Sequence, residues 1–204
     1  MAVPRRHNGM LDEEGEEDGL FQEDGVLLEP DSDTPPHLQD LATVAQLGDV
    51  DALRNALDNL NGDINEPVED GDTALHLTCL FGYLHCVQLL LERGACMEVK
   101  SEDGAIPLHD ACAGGYTEIV QLFINSATDP ECKKRMLESV DVEGDTPLHH
   151  AARGEHVDVV RLLLAAGASP TKPNSYAKIP SELADPGTEA RRILEAAAGV
   201  VACQ

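Results

Sequence analysis

Apolar residues recur along the chain in short helical bursts punctuated by glycine. Val87, Leu90 and Leu91 in one stretch, and Val160, Leu163 and Leu164 in another, follow the i, i+3, i+4 spacing of a single helix face. A second, shorter burst precedes each of them, as "DTALHLTCLFG" from Asp72 and "DTPLHHAARG" from Asp145. Thr73 and Thr146 are placed to cap these shorter helices. Pro107, Pro147 and Pro180 take first-turn positions, where a missing N–H costs nothing. Gly82 and Gly115 stand where a first helix ends in left-handed backbone, and Gly94 and Gly167 where a second one does. The pattern predicts pairs of short helices. No pair is long enough to bury its own apolar face, so neighbours must stack.

The bursts are copies of one another. "DGDTALHLTCLFGYLHCVQLLLERGACMEVK" from Asp70 aligns with "DGAIPLHDACAGGYTEIVQLFI" from Asp103 and with "EGDTPLHHAARGEHVDVVRLLLAAGASPTK" from Glu143. Leu75 and Leu108 lie 33 residues apart and Leu108 and Leu148 lie 40 apart, which puts a seven-residue insertion around "NSATDPECKKRMLESV", expected to lengthen one finger. A degraded copy follows at "KIPSELA", and another precedes at "DLATVAQLGDVDALRNALDNLNGDINEPVEDG".

These residues resemble the ankyrin-repeat family, whose signature is D-G-x-T-P-L-H-x-A-A, a short helix, G-H-x-x-V-V-x-L-L-L and then G-A. The resemblance implies an all-α solenoid of helix-turn-helix units with β-hairpin fingers over residues 37–199. The units fall at about 37–69, 70–102, 103–143 with the insertion near 125–140, 144–176, and a capping unit at 177–199. Residues 200–204 are left as a C-terminal tail.

Composition sharpens this reading. Aromatic residues make up only 3% and Trp is absent, so the core has to be aliphatic, as suits stacked helices. The formal net charge of −24 argues against direct nucleic-acid binding and favours basic protein partners. No run approaches the ~20 apolar residues of a membrane span. The start, "MAVPRRHNGM", fits neither a signal peptide nor a transit peptide. The six cysteines form no CxxC pair and read as reduced thiols, with a cytoplasmic or nuclear location expected. Residues 1–36 set eleven carboxylates against two arginines, which leaves −15 on the remainder, and the segment is expected to be a disordered acidic tail. Within it, "GLFQEDGVLLEPD" alternates apolar residues with acid, so it reads either as a solubilising extension or as a segment that recruits a second partner in a transcriptional or signalling co-regulator. Ser32 and Thr34 are candidate phosphate acceptors.

The densest concentration of potential chemistry is "GDTPLHHAARGEH", with three histidines in thirteen residues. His76, His109 and His149 share one repeat position, and a residue that recurs with the period is structural, where a catalytic one is needed once. The resemblance implies that this histidine bonds the capping threonine and nearby backbone. His109 faces Ile106 instead of Thr, so its turn should be capped less well, by about 1 kcal/mol. His150 matches Leu77 and Asp110 at a variable position that the family turns towards its groove, and it is either solvated or a partner contact. His156 follows Glu155, which stands where the other units have glycine, and a slightly altered turn is expected there. His149 and His150 are adjacent on a helix and point about 100° apart, which disfavours a shared metal. No nucleophile motif converges. Cys79 and Cys112 match Ala152 as small core residues, whereas Cys132 lies beside Lys133, Lys134 and Arg135 and reads either as a plain exposed thiol or as one whose thiolate that positive charge favours. "KKR" reads either as a nuclear signal or as a dock for the acidic tail.

The expected function is therefore a non-enzymatic, cofactor-free adaptor, monomeric on its own. The resemblance puts partner contacts at the finger tips and on the open face of the first helices. The tips offer Glu69, Asp70, Asp72, Glu102, Asp103, Glu143 and Asp145. They suit either general solubility or a partner whose basic patch surrounds an apolar centre. The first-helix face offers Leu77, Leu80, Phe81, Asp110, His150 and Arg153, with Leu80 and Phe81 reading either as apolar anchors for a partner or as packing on a neighbouring element.

Overall fold

The structure is a computed structural model that describes residues 38–68 and 71–202. The acidic tail at 1–36, with Ser32 and Thr34, lies outside the described residues, as do Glu69 and Asp70.

The helices come in successive pairs. They run α1 (Gln39–Leu47) and α2 (Val50–Asp58), α3 (Ala74–Leu80) and α4 (Leu84–Glu92), α5 (Pro107–Ala113) and α6 (Thr117–Ser126). After these come α7 (Pro130–Glu138), α8 (Pro147–Arg153) and α9 (Val157–Ala166), then α10 (Pro180–Leu183) and α11 (Glu189–Ala202). First helices pack on first helices, α1 on α3, α3 on α5, α5 on α8 and α8 on α10, while α2, α4, α6, α9 and α11 line up behind them. Leu75, Leu108 and Leu148 are buried at equivalent places between the layers, as are Val87, Leu90, Val120, Phe123, Val160 and Leu163. The core is aliphatic apart from Phe123, as the sparse aromatic content requires.

Two expectations need correction. The fingers are tight turns, and among the described residues there is no β-strand. Each finger is closed by one backbone bond between residues four apart, Ser101 N–H to Ala105 O at 2.9 Å, Asp141 to Asp145 at 3.1 Å and Asn174 to Lys178 at 2.8 Å. Neighbouring fingers share one bond each, Val142 N–H to Asp103 O and Ser175 N–H to Glu143 O. So few pairs cannot build a ladder. The insertion, expected to lengthen a finger, instead folds as α7. Asp129 caps it by accepting the Glu131 and Cys132 N–H groups, and Met136 and Leu137 bury beneath it.

The recurring histidine holds the stack together. Nδ1 of His76, His109 and His149 accepts the backbone N–H of Thr73, Ile106 and Thr146 at 3.1, 3.0 and 3.1 Å. The proton therefore sits on Nε2, which donates forward to Ala105 O, Asp145 O and Lys178 O at 3.3, 3.2 and 3.1 Å. Those carbonyls are the ones that close the next fingers. Ile106 keeps this half of the cap although it has no hydroxyl to accept the His109 N–H.

A second link runs between the helix-pair turns. The rings of Tyr83, Tyr116 and His156 lie over Gly48, Gly82 and Gly115 of the preceding unit, all at positive φ, and a Cβ on Gly48 would meet the Tyr83 ring at 2.6 Å. The Tyr83 hydroxyl donates to Gln46 O at 3.3 Å, and His156 Nε2 donates to Ala113 O at 2.8 Å. Glu155 takes the same left-handed conformation, φ 57°, and repeats the bonds made at Gly82 and Gly115, so the expected alteration of that turn does not occur. A side chain fits there because the following unit places no ring over it. Its carboxylate instead accepts the Asp185 N–H at 2.5 Å.

Gly82→Ala should lower stability by about 2 kcal/mol or more through left-handed strain and the Tyr116 clash, while Glu155→Gly should change it by less than about 1 kcal/mol. Urea unfolding of the two variants checks this, and equal losses would refute the ring-over-glycine account. Burial pushes the His76 and His109 imidazoles down to about 4 and lowers His149 as well. Unfolded imidazoles gain protons below about 6.5 that the folded ones refuse until about 4, so the histidine contribution to stability should fall as pH drops through that window. Replacing His76 and His109 together by Gln should flatten that acid limb in denaturation measured across pH.

Candidate functional site

On the open face of the first helices the side chains form a grid set by helical and repeat register. Leu77, Asp110 and His150 make one row, Leu80, Ala113 and Arg153 the next, and Phe81, Gly114 and Gly154 the third. Leu80 is 46% exposed and Phe81 45%, and Phe81 stacks on Tyr83 with ring centroids 5.9 Å apart. Arg153 is also open. Leu77 departs from the expected contact role: it is only 5% exposed and belongs to the core. An aliphatic side chain at this position packs inward, where the polar side chains of the next two units stay half-buried.

Asp145 also departs from expectation. It is fully buried, so it supports the turn behind the tip and offers nothing there to a partner. Its Oδ2 accepts from Arg153 and its Oδ1 from Asn174 Nδ2 at 2.6 Å. Asp141, which the sequence reading missed, is the hub beside it. Its Oδ1 accepts the Glu143 and Asp145 N–H groups, and its Oδ2 lies 2.8 Å from His150 Nε2. Burial works against ionisation, yet the His150 and Asp145 hydrogen bonds hold the Asp141 carboxyl below the ordinary range. His150 is thus tied to Asp141, with its ring edge-on to His109 at 5.4 Å. Asp141, Asp145 and His150 bring ligand atoms within 4.8 Å of one another. Their atoms are already engaged internally, and the Arg153 guanidinium supplies the positive charge a metal would bring. The arrangement is an ion-pair network that braces the finger.

The tips that remain open are Glu102, Asp103 and Glu143, while Asp72 is half-buried. Val142 and Tyr176 stand among them, 68% and 66% exposed, and add apolar surface to the acid row. Alignment of "SEDGA", "DVEGD" and "NSYAK" would have exposed both.

Cys132 corrects another expectation. Arg135 turns away to Glu98, with bonds of 2.9 and 3.0 Å, and the thiol points at the same carboxylate. Burial and the Glu98 charge push the Cys132 thiol up, not down. Lys133 and Lys134 line a cleft of about 330 Å3 between α7 and the end of α9.

Asp110 is the misfit of the grid. Its Oδ2 is buried with no hydrogen-bond partner, and burial together with the Asp72 charge pushes the carboxyl up to about 8. A folded-state acid held protonated stabilises most below the unfolded value of 3.8, and its contribution is lost as pH rises through about 8. Asp110→Leu, which copies Leu77, should therefore raise stability in the alkaline limb by about 1–3 kcal/mol. Denaturation midpoints compared in mild acid near pH 4 and near pH 8 measure this, and a variant destabilised at the higher pH would refute it.

No curated protein matches the chain. The family model described as ankyrin repeats (3 copies) matches residues 41–134, and the model described as ankyrin repeat matches 143–175. Ankyrin repeats are generally protein–protein interaction modules and typically carry no enzymatic activity. Among the described residues, no helix is long and apolar enough to cross a membrane. With the helix pairs, their glycine turns and the histidine links matching those sequence assignments, the chain belongs to the ankyrin-repeat family.

Proposed function

We propose that this protein is a non-enzymatic adaptor that holds the open face of its first helices and its acidic finger tips out to another protein. The observation that carries the reading is Leu80 and Phe81, adjacent and each nearly half exposed on a face where the next unit offers only Ala113 and Gly114. The stack does not need them for its own burial. Two large apolar groups beside small ones give a partner an anchor point. Asp72, Glu102, Asp103 and Glu143 rim that anchor with negative charge, which speeds encounter with a basic surface and disfavours acidic ones. The binding mechanism is rigid display: the fixed grid keeps the ordering cost low, and affinity comes from desolvating the apolar centre.

Leu80→Asp combined with Phe81→Asp should leave the far-UV circular dichroism of the chain unchanged and lower affinity for specifically captured partners by about tenfold or more. Affinity capture with both proteins, followed by titration of each recovered partner, measures this. Partners that bind both proteins equally would remove this face from the binding surface. Binding that survives on the stack after deletion of residues 1–36 assigns recognition to the repeats and not to the tail.

A further inference from the structure

The apolar surface at Leu80 and Phe81 does not stop at α3. Gly48 and Gly82 close equivalent turns, so Leu47, the last residue of α1, stands in the row of Phe81, Gly114 and Gly154. Helix α1 packs on α3, and Leu47 is 68% exposed. The Tyr83 ring joins the two places. It lies over Gly48, next to Leu47, its hydroxyl donates to Gln46 O, and Phe81 stacks on it. Leu47, Tyr83, Phe81 and Leu80 thus make one apolar ridge across the first two units.

The ridge belongs to these two units and has a physical cause. At Gly114 and Gly154 a Cβ would run into the ring two residues further on, Tyr116 or His156. Phe81 occupies the same place by stacking its own ring on Tyr83, with 30° between the planes, and so it stands out from the face. Leu47 is not part of the core either, since the residues that α1 buries are Leu41, Ala42 and Ala45. A cleft of about 240 Å3 opens beside the ridge, with Val50, Tyr83 and Leu84 among its walls. Exposed apolar groups gathered beside a cleft mark a place where another surface seats.

Charge and spacing specify the occupant. Helices α1, α3 and α5 contain no lysine or arginine. Exposed carboxylates flank the ridge on both sides, Asp49 and Asp51 at the turn after Leu47, Glu102 and Asp103 at the finger tips. The complementary surface is apolar at its centre and basic at its edges. Packed helices lie about 8–10 Å apart, so Leu47 and Phe81 offer apolar surface at about that interval. Side chains on one face of an extended chain recur every ~6.8 Å and miss it. A helix brings residues i and i+7 onto one face about 10.5 Å apart. We propose that the ridge seats a basic amphipathic helix of the partner, laid across the ends of α1 and α3. This rests on the first-helix face being the binding surface, extends that face to α1 and names the shape the partner must present.

The probe is a display library randomised along one face of a stable helical scaffold and selected on the full chain, with a linear peptide library selected in parallel. Recovered helices should carry apolar residues at i and i+7 flanked by Lys or Arg, and should bind about tenfold more tightly than the linear peptides. Leu47→Asp should weaken them about tenfold, although it adds a charge that attracts a basic partner, which assigns the loss to apolar contact. Circular dichroism and unfolding midpoints establish that the variant is folded, and Leu47→Gln repeats the measurement without a new charge at the end of α1. Linear peptides that bind as tightly, helices without flanking bases, or equal affinity for the wild type and both Leu47 variants would each overturn the proposal. Sedimentation showing the full chain as a dimer that Leu47→Asp breaks would give the ridge to a second copy and overturn it too. If Leu80→Asp/Phe81→Asp abolishes helix binding while the Leu47 variants leave it unchanged, the face stands and the ridge falls. If none of these variants matters, or nothing is selected, both fall.

Discussion

The imidazole shared between units is the interaction on which the rest of this stack depends. A short helix has orphan N–H groups at its start, and a finger has a carbonyl at its base that faces the preceding unit. One neutral ring serves both, accepting at Nδ1 and donating at Nε2. The arrangement works only with the proton on one nitrogen, which is why burial and function as a link both favour a weakly basic ring. It also explains why Ile106 is tolerated where threonine stands elsewhere. The hydroxyl strengthens the cap, but the bond that joins the units needs only the backbone and His109.

With units joined by the histidines near the fingers and by the rings over glycine at the helix-pair turns, the open face of the first helices carries little structural duty. Leu77, Asp110 and His150 can differ in polarity, and Leu80, Ala113 and Arg153 in size, without altering the frame. Structural work is concentrated in repeated residues and individuality in the variable ones. A histidine-rich run that suggests chemistry thus resolves into separate tasks. His149 joins two units, His156 fills the space above Gly115, and His150 braces Asp141.

What could be read from sequence was whatever lies within one period. Caps at Thr73 and Thr146, first-turn prolines, glycine at helix ends and the buried leucines all follow from residues a few positions apart. The lateral half of each contact was not visible, because His76 and Ala105, or His156 and Ala113, are tied across 29 and 43 residues. The same limit hid the burial of Leu77 and Asp145, since the polarity of one residue does not reveal what the neighbouring unit places over it. Cys132 went astray because adjacent lysines and an arginine in sequence do not reveal that Glu98, from the preceding unit, claims the arginine. The insertion helix was legible in principle: "DPE" is a capping aspartate before a first-turn proline, with Met136 and Leu137 about two helical turns beyond the cap.

The links also have a direction. Each histidine reaches forward, from its own turn to the finger of the next unit, and the series stops at α10, where Glu182 takes the histidine place. Its carboxylate accepts the Ile179 N–H at 3.0 Å and, being an acceptor, has no proton to pass onward. The stack therefore behaves as a polar chain of coupled segments with a built-in terminator. Thermal opening of α10 and α11 severs one forward bond, from His149, whereas opening a middle unit severs two. Fluctuations entering from the α11 side therefore break one forward bond to free the last pair and two to free the pair before it, so they should die out towards the middle of the stack.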